Sequence, residues 1–141
     1  MSSGNPAHPM TLFDASARAM SAQLVRMNAA ASNLANAGTV AGSAQGAYRA
    51  MRPVFATVLD TRTGIASVKV QGVYQSGASP VQIHDPDNPL ADGNGDVWQS
   101  GVDENAEMIE ITDASRQYQN VVSAMQTAKQ LTMDTLRMKT S

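Results

Sequence analysis

The sequence contains no cysteine, so neither a disulfide framework nor a thiolate metal site is open to it. Clustered basic charge is missing too. The formal net charge is -2 and the ten Lys and Arg residues are scattered, which gives no electrostatic reason to expect nucleic acid or an anionic membrane as partner. No apolar run approaches the roughly 20 residues that a spanning helix requires, so membrane insertion is not expected. The opening MSSGNPAHPM has neither a basic region nor a long apolar stretch and does not read as a Sec signal peptide; residues 1–10 are expected to form a flexible lead-in.

Catalytic patterns are absent in the same way. His8 and His84 lie in loop-like sequence with no ligand spacing between them, no nucleophile elbow surrounds any serine, and no glycine loop is suited to phosphate. Asp92, Asn94, Asp96 and Asp103 stand at positions one, three, five and twelve of a calcium-loop count, but position six is Val97 where such a loop needs glycine, and no helix precedes it. A solvated turn closed by Asn94-Gly95 is expected instead. Glu104, Glu107 and Glu110, three apart, read as a solvated charged face rather than a metal or acid-base cluster. No enzyme activity, metal or cofactor is expected.

What the sequence does contain is helical period at its two ends. Phe13, Ala17, Met20, Leu24, Met27, Ala31 and Leu34 alternate by four and three, the spacing of a seam on a supercoiling helix. Thr11 and Asp14 have capping-box spacing, and Asn36-Ala37-Gly38 suits a helix end. Only Asp14, Arg18 and Arg26 are charged between those limits, and small residues flank the seam, so more than one side is expected to be approached closely. The period returns after Val102, where Ile111, Ala114, Tyr118, Val121, Met125 and Ala128 form a second seam. Acidic residues crowd the start of that helix and Lys129, Arg137 and Lys139 its end, as the helix dipole favours.

Between the helices glycine and proline become frequent. Val54 to Leu59 and Val68 to Val73 read as two strands joined through Asp60 to Gly64, with Gly64 at the position needing positive φ; Val81 with Ile83, and Val97 with Trp98, add two short ones. The expected fold is α+β: long N- and C-terminal helices paired as a coiled-coil-like bundle, with a small antiparallel β insertion. Its parts are a lead-in over 1–10, the first helix over 11–37, the insertion over 38–101 and the last helix over 102–141.

The run from Ser16 to Gln23, then Arg26-Met27, then the signature Ser32, Asn33, Leu34, Ala35 and Asn36 resembles the N-terminal motif of bacterial flagellar rod and hook proteins. Tyr48-Arg49-Ala50, Asn88 to Asp92 with Asn94-Gly95, and Ala114 to Gln119 point to the proximal-rod branch. Asp96-Val97-Trp98 departs from that pattern, which has Gly and an aromatic after Asn-Gly. The resemblance implies a structural subunit of the basal-body proximal rod, exported uncleaved through the flagellar type III apparatus and assembled helically in the periplasm. Its implied partners are further copies and other rod proteins of the FlgB, FlgF and FliE kinds. A hook or distal-rod subunit is the near alternative; a soluble coiled-coil adaptor is the distant one.

Overall fold

The structure, a computed structural model, describes residues 9–141; residues 1–8 of the expected lead-in lie outside the described residues. Helix α1 spans Leu12–Ala35. The Thr11 side chain accepts a hydrogen bond from the Asp14 backbone N–H at 3.1 Å, and Asp14 accepts one in return from the Thr11 N–H at 2.8 Å, so two otherwise orphaned donors are satisfied. Asn36 caps the other end. After a short insertion, α2 spans Glu104–Thr140, with the Asp103 carboxylate accepting from the Ala106 N–H.

The two helices run antiparallel. Arg26 and Asn33 of α1 meet Glu110 and Glu107 of α2, while Phe13 and Met20 border the same depression as Val122, Met125 and Lys129. Alanine makes this close approach possible. Ala22, Ala29 and Ala30 of α1 and Ala114 of α2 are buried, and with Ala37, Ala47, Ala50 and Val97 they make up the apolar core. Each methyl contributes only roughly 0.8 kcal/mol, so such a core holds the chain together weakly for its length. Because α1 begins beside Lys129, the last turns of α2, Gln130 to Thr140, continue past it for about 16 Å at 1.5 Å per residue. Residues 131–140 are all exposed.

The insertion forms two small antiparallel sheets. Strands β2 (Met51–Asp60) and β3 (Ile65–Gln75) make a hairpin whose turn contains Gly64 at φ 71°. Between the pairs Val54–Gly72 and Phe55–Val70, Gln71 is an extra residue and the register shifts. Strands β1 (Val40–Ala41), β5 (Asp96–Gln99) and β4 (Val81–His84) form the other sheet in that spatial order. β1 has too few residues to carry a period, and the sequence reading does not include it. Where the chain leaves β5 for α2, Gly101 is packed against backbone: a Cβ there would sit 2.5 Å from the Ser79 carbonyl oxygen.

The hairpin lies along α1 for most of its length. Its base is held at the end of α1, where the Met51 N–H donates to Asn33, and its tip at the beginning, where the Met10 N–H donates to the Asp60 carboxylate at 2.7 Å. The lengths agree, since ten strand residues and twenty-four helical ones each span about 35 Å. Backbone donors from Met10 and Arg62 hold the Asp60 carboxyl below its ordinary 3.8. A depressed carboxyl stabilises the fold above its unfolded pKa and ceases to do so as pH falls through the folded one. The protection of the Met10 amide, corrected for intrinsic exchange, is therefore expected to persist to pH values below the ordinary carboxyl range and to fall only as pH drops through the lowered Asp60 value, while that of the α1 interior persists. Equal loss at both places would show that the tether is not separate from the helix.

Candidate functional site

The end of α1, the start of β2 and the first turn of α2 meet at one buried polar joint. Asn33 is 0% exposed and Glu107 1%, and they are two of the three largest fully buried side chains. The Asn33 amide donates to the Met51 carbonyl at 3.0 Å and to Glu107 Oε2 at 3.1 Å; its Oδ1 accepts from the Met51 N–H at 2.7 Å and from the Tyr48 hydroxyl at 2.8 Å. Arg52 closes the joint with a two-pronged contact to Glu107, at 2.5 and 3.1 Å. That hydrogen bond raises the pKa of the Arg52 guanidinium. No buried side-chain nitrogen or oxygen among the described residues lacks a partner.

A second clamp lies about two turns along α1. Arg26 donates to Glu110 at 2.7 Å, to Asp113 at 2.8 Å and to Gln23 at 2.8 Å, and the carboxylates, Glu110 first, raise its pKa. These contacts correct the expectation of a solvated acidic face. Glu107 is buried, and Glu110 is engaged across the helix pair. The signal was present in the second seam: four residues before Ile111, and seven before Ala114, lies Glu107, so it shares the face that turns inward.

The signature residues act together at the end of α1. Asn33 is the hub of the joint, the Ser32 hydroxyl lies 3.1 Å from the Tyr48 hydroxyl, and the Asn36 side chain donates to the Ser32 carbonyl at 2.8 Å. Leu34 is half-buried and Ala35 exposed. Of the other α1 seam residues, Met20 and Met27 are half-buried, whereas Phe13, Ala17, Leu24 and Ala31 are exposed. On α2, Ala114 is buried and Ile111, Tyr118, Val121, Met125 and Ala128 are half-buried. The face of α1 turned inward is a parallel run of small and polar residues, Ala15, Ala19, Ala22, Arg26, Ala29 and Asn33, of which Ala22, Ala29 and Asn33 are buried and the rest half-buried; it too is spaced by four and three and is displaced by two positions, about 200° around the helix.

The Asp92 region is a self-contained turn. Asp92 Oδ1 accepts the N–H groups of Asn94 and Asp96 at 2.9 Å each, Gly95 takes φ 79°, and the Asp85 N–H donates to the Gly95 carbonyl. Backbone donors thus already occupy the carboxylate oxygen that a calcium loop would direct at its ion. His84 and Gln82 bond Asp96, and these contacts hold its carboxyl below the ordinary range.

A chain with an alanine core, a polar joint between its helices, and large apolar side chains left outward along both helices belongs to the class of structural assembly subunits. Among the described residues no helix is long and apolar enough to cross a membrane. Residues 13–42 match the family model described as flagella basal body rod protein, and residues 94–138 match the one described as flagellar basal body rod FlgEFG protein C-terminal. Over 127 residues the chain is 39% identical to the flagellar basal-body rod protein FlgC of Salmonella typhimurium, covering 90% of this chain and 95% of that one. Identity to the proteins of the same name is 37% in Yersinia enterocolitica, with the same coverage, and 31% in Agrobacterium fabrum, covering 81% of this chain and 83% of that one. The chain belongs to the FlgC family of flagellar basal-body rod proteins. It is accordingly a structural, non-enzymatic subunit of the rod, and membership implies assembly with other rod proteins.

The joint has a measurable cost of disruption. In Arg52→Met the buried Glu107 loses its counter-charge but keeps Asn33, so the urea midpoint for loss of helicity is expected to fall, by less than for a fully buried pair because Arg52 is itself 43% exposed. Arg116→Met, at an exposed position of α2, is expected to leave that midpoint unchanged within error. Urea titration followed by circular dichroism checks both, and equal effects would remove the joint from its assigned role.

Proposed function

We propose that this chain is a subunit of the proximal rod, delivered uncleaved through the flagellar type III export apparatus and assembled helically. Its neighbours are other copies and rod proteins of the FlgB, FlgF and FliE kinds. The paired terminal helices form the inner layer around the channel, and the β insertion packs outside them. The observation that carries this reading is the allocation of apolar side chains: the core is mostly alanine, while Phe13, Leu24, Ile109, Leu131, Leu136 and Met138 are exposed. Burial between subunits contributes roughly 25 cal/mol per Å² of apolar surface, and the outward side chains are where most of that surface lies. The contact residues are Met20, Leu24, Met27 and Leu34 on α1, with Tyr118, Val121 and Met125 on α2.

Leu24→Asp provides the sharper test because Leu24 is 44% exposed in the single subunit. The substitution leaves the isolated chain's helicity unchanged within error but places an unpaired charge in an assembled interface. Motility is expected to be lost, and quantitative mass spectrometry is expected to find the variant missing from purified hook-basal bodies that contain the parent chain in a few copies. Val121→Asp, at a half-buried position, is expected to lose motility as well. Normal motility with Leu24→Asp would defeat the seam assignment, and absence of the parent chain from intact particles would defeat the rod reading. Dilute parent chain is expected to melt with low cooperativity, in keeping with a weakly held core; a sharp, fully helical transition would count against assembly-coupled ordering.

A further inference from the structure

Asn94 and Gly95 stand in the turn that leads into β5, and we propose that they form a site of spontaneous covalent modification, where Asn94 deamidates through a cyclic imide at a rate that Asp92 restrains. Such a reaction needs an asparagine side chain free to move and an unhindered backbone nitrogen on the residue that follows. Asn94 is exposed, and among the described residues its side chain has no hydrogen-bond partner. Gly95 has no Cβ to shield its nitrogen from the neighbouring side chain.

The other asparagines lack one requirement or the other. Asn5 and Asn88 precede proline, which has no N–H to give up. Asn28, Asn33, Asn105 and Asn120 stand in α1 or α2, where helical geometry points the following N–H back towards the preceding turn. The Asn33 amide is buried and bonded on both sides, and the Asn36 side chain is held by the Ser32 carbonyl.

Because both reacting groups belong to one short stretch of chain, the attack is intramolecular. The Gly95 nitrogen bonds to Asn94 Cγ and releases its proton to water, while Nδ2 takes up a proton and leaves as ammonia. Water then opens the imide. Cleavage at Cγ leaves aspartate; cleavage at the main-chain carbonyl leaves isoaspartate, whose backbone runs through the side chain and is longer by one CH2. Water is the only co-reactant. In the closed turn the Gly95 N–H donates to the Asp92 carbonyl at 3.0 Å, and Asp92 Oδ1 holds the N–H groups of Asn94 and Asp96 at 2.9 Å each, so ring closure waits for the turn to open. The added CH2 of isoaspartate falls between those two N–H groups, which then no longer fit one carboxylate oxygen together.

The test uses the purified full chain, incubated folded and in urea in mildly alkaline buffer. Mass gain is localised by fragmentation, and isoaspartate is labelled with isoaspartyl methyltransferase. In the folded chain Asn94 is expected to convert before any other asparagine, several-fold more slowly than in urea, and Asp92→Ala is expected to close most of that gap. Asn94→Gln is expected to lose the label. An intact Asn94 in the folded chain when the urea sample has converted overturns the proposal, as does earlier conversion elsewhere or a label that persists in Asn94→Gln. An Asp92→Ala rate equal to the parent's overturns the restraint. Hydrogen exchange reads the consequence: in the isoaspartate form the Asp96 amide is expected to lose protection while the α2 interior keeps it, whereas Asn94→Asp, with the charge but not the longer backbone, is expected to keep both. Equal loss in the two forms overturns the role given to backbone length. No rod is present in these measurements, so each outcome leaves the rod reading as it stands.

Discussion

Burying a carboxylate without compensation costs several kcal/mol, and that constraint organises the subunit around Glu107. The residues that satisfy it come from far along the chain: Asn33 ends α1, Arg52 opens β2, and Glu107 lies in the first turn of α2. None of the three can be satisfied by its own element. Packing α2 on α1 alone would leave Glu107 bonded to Asn33 but without its counter-charge, so the helix pair depends on the insertion between its halves. The hairpin depends in turn on the helices, since Asn33 receives its base and the residue before α1 is tied to its tip. A polar joint of this kind gives register more than stability. Apolar replacements of similar volume could hold the helices as tightly, but they would not distinguish one stagger from the next.

Much of this was legible before the structure. The two helices, the capping box at Thr11, the hairpin with Gly64 at positive φ and the two later strands follow from period, cap chemistry and turn residues, which act locally. The joint was only half legible. Asn33 stands in the signature, but a glutamate three residues from two others reads as solvated because nothing local supplies its partner. Arg52 is fifty-five residues away from Glu107 and looks like any strand arginine.

The buried face of α1 was missed for a different reason. Large apolar residues dominate any reading by hydrophobic period, so Phe13, Leu24 and Leu34 define the evident seam. Alanines define the one turned inward, because small side chains let helix backbones approach, and alanine carries little hydropathy with which to announce it. Two seams on one helix, each spaced by four and three, cannot be ranked by sequence period alone. Contact with α2 and the hairpin decides between them.

The division between a small inner face and a large outer one bears on how such a subunit can be both transportable and rigid. If Leu24, Leu131 and Leu136 were buried within the single chain, their contribution would stabilise the monomer and be lost to the assembly. Placed outside, they would contribute only on the proposed assembly, where the apolar term would favour the polymer over the monomer. The charged and polar groups keep register during that step. Arg26, Arg52, Asn33 and Glu107 are already paired inside the subunit and need not rearrange. The subunit thus fixes its own geometry with polar contacts and keeps most of its large apolar side chains on the outside.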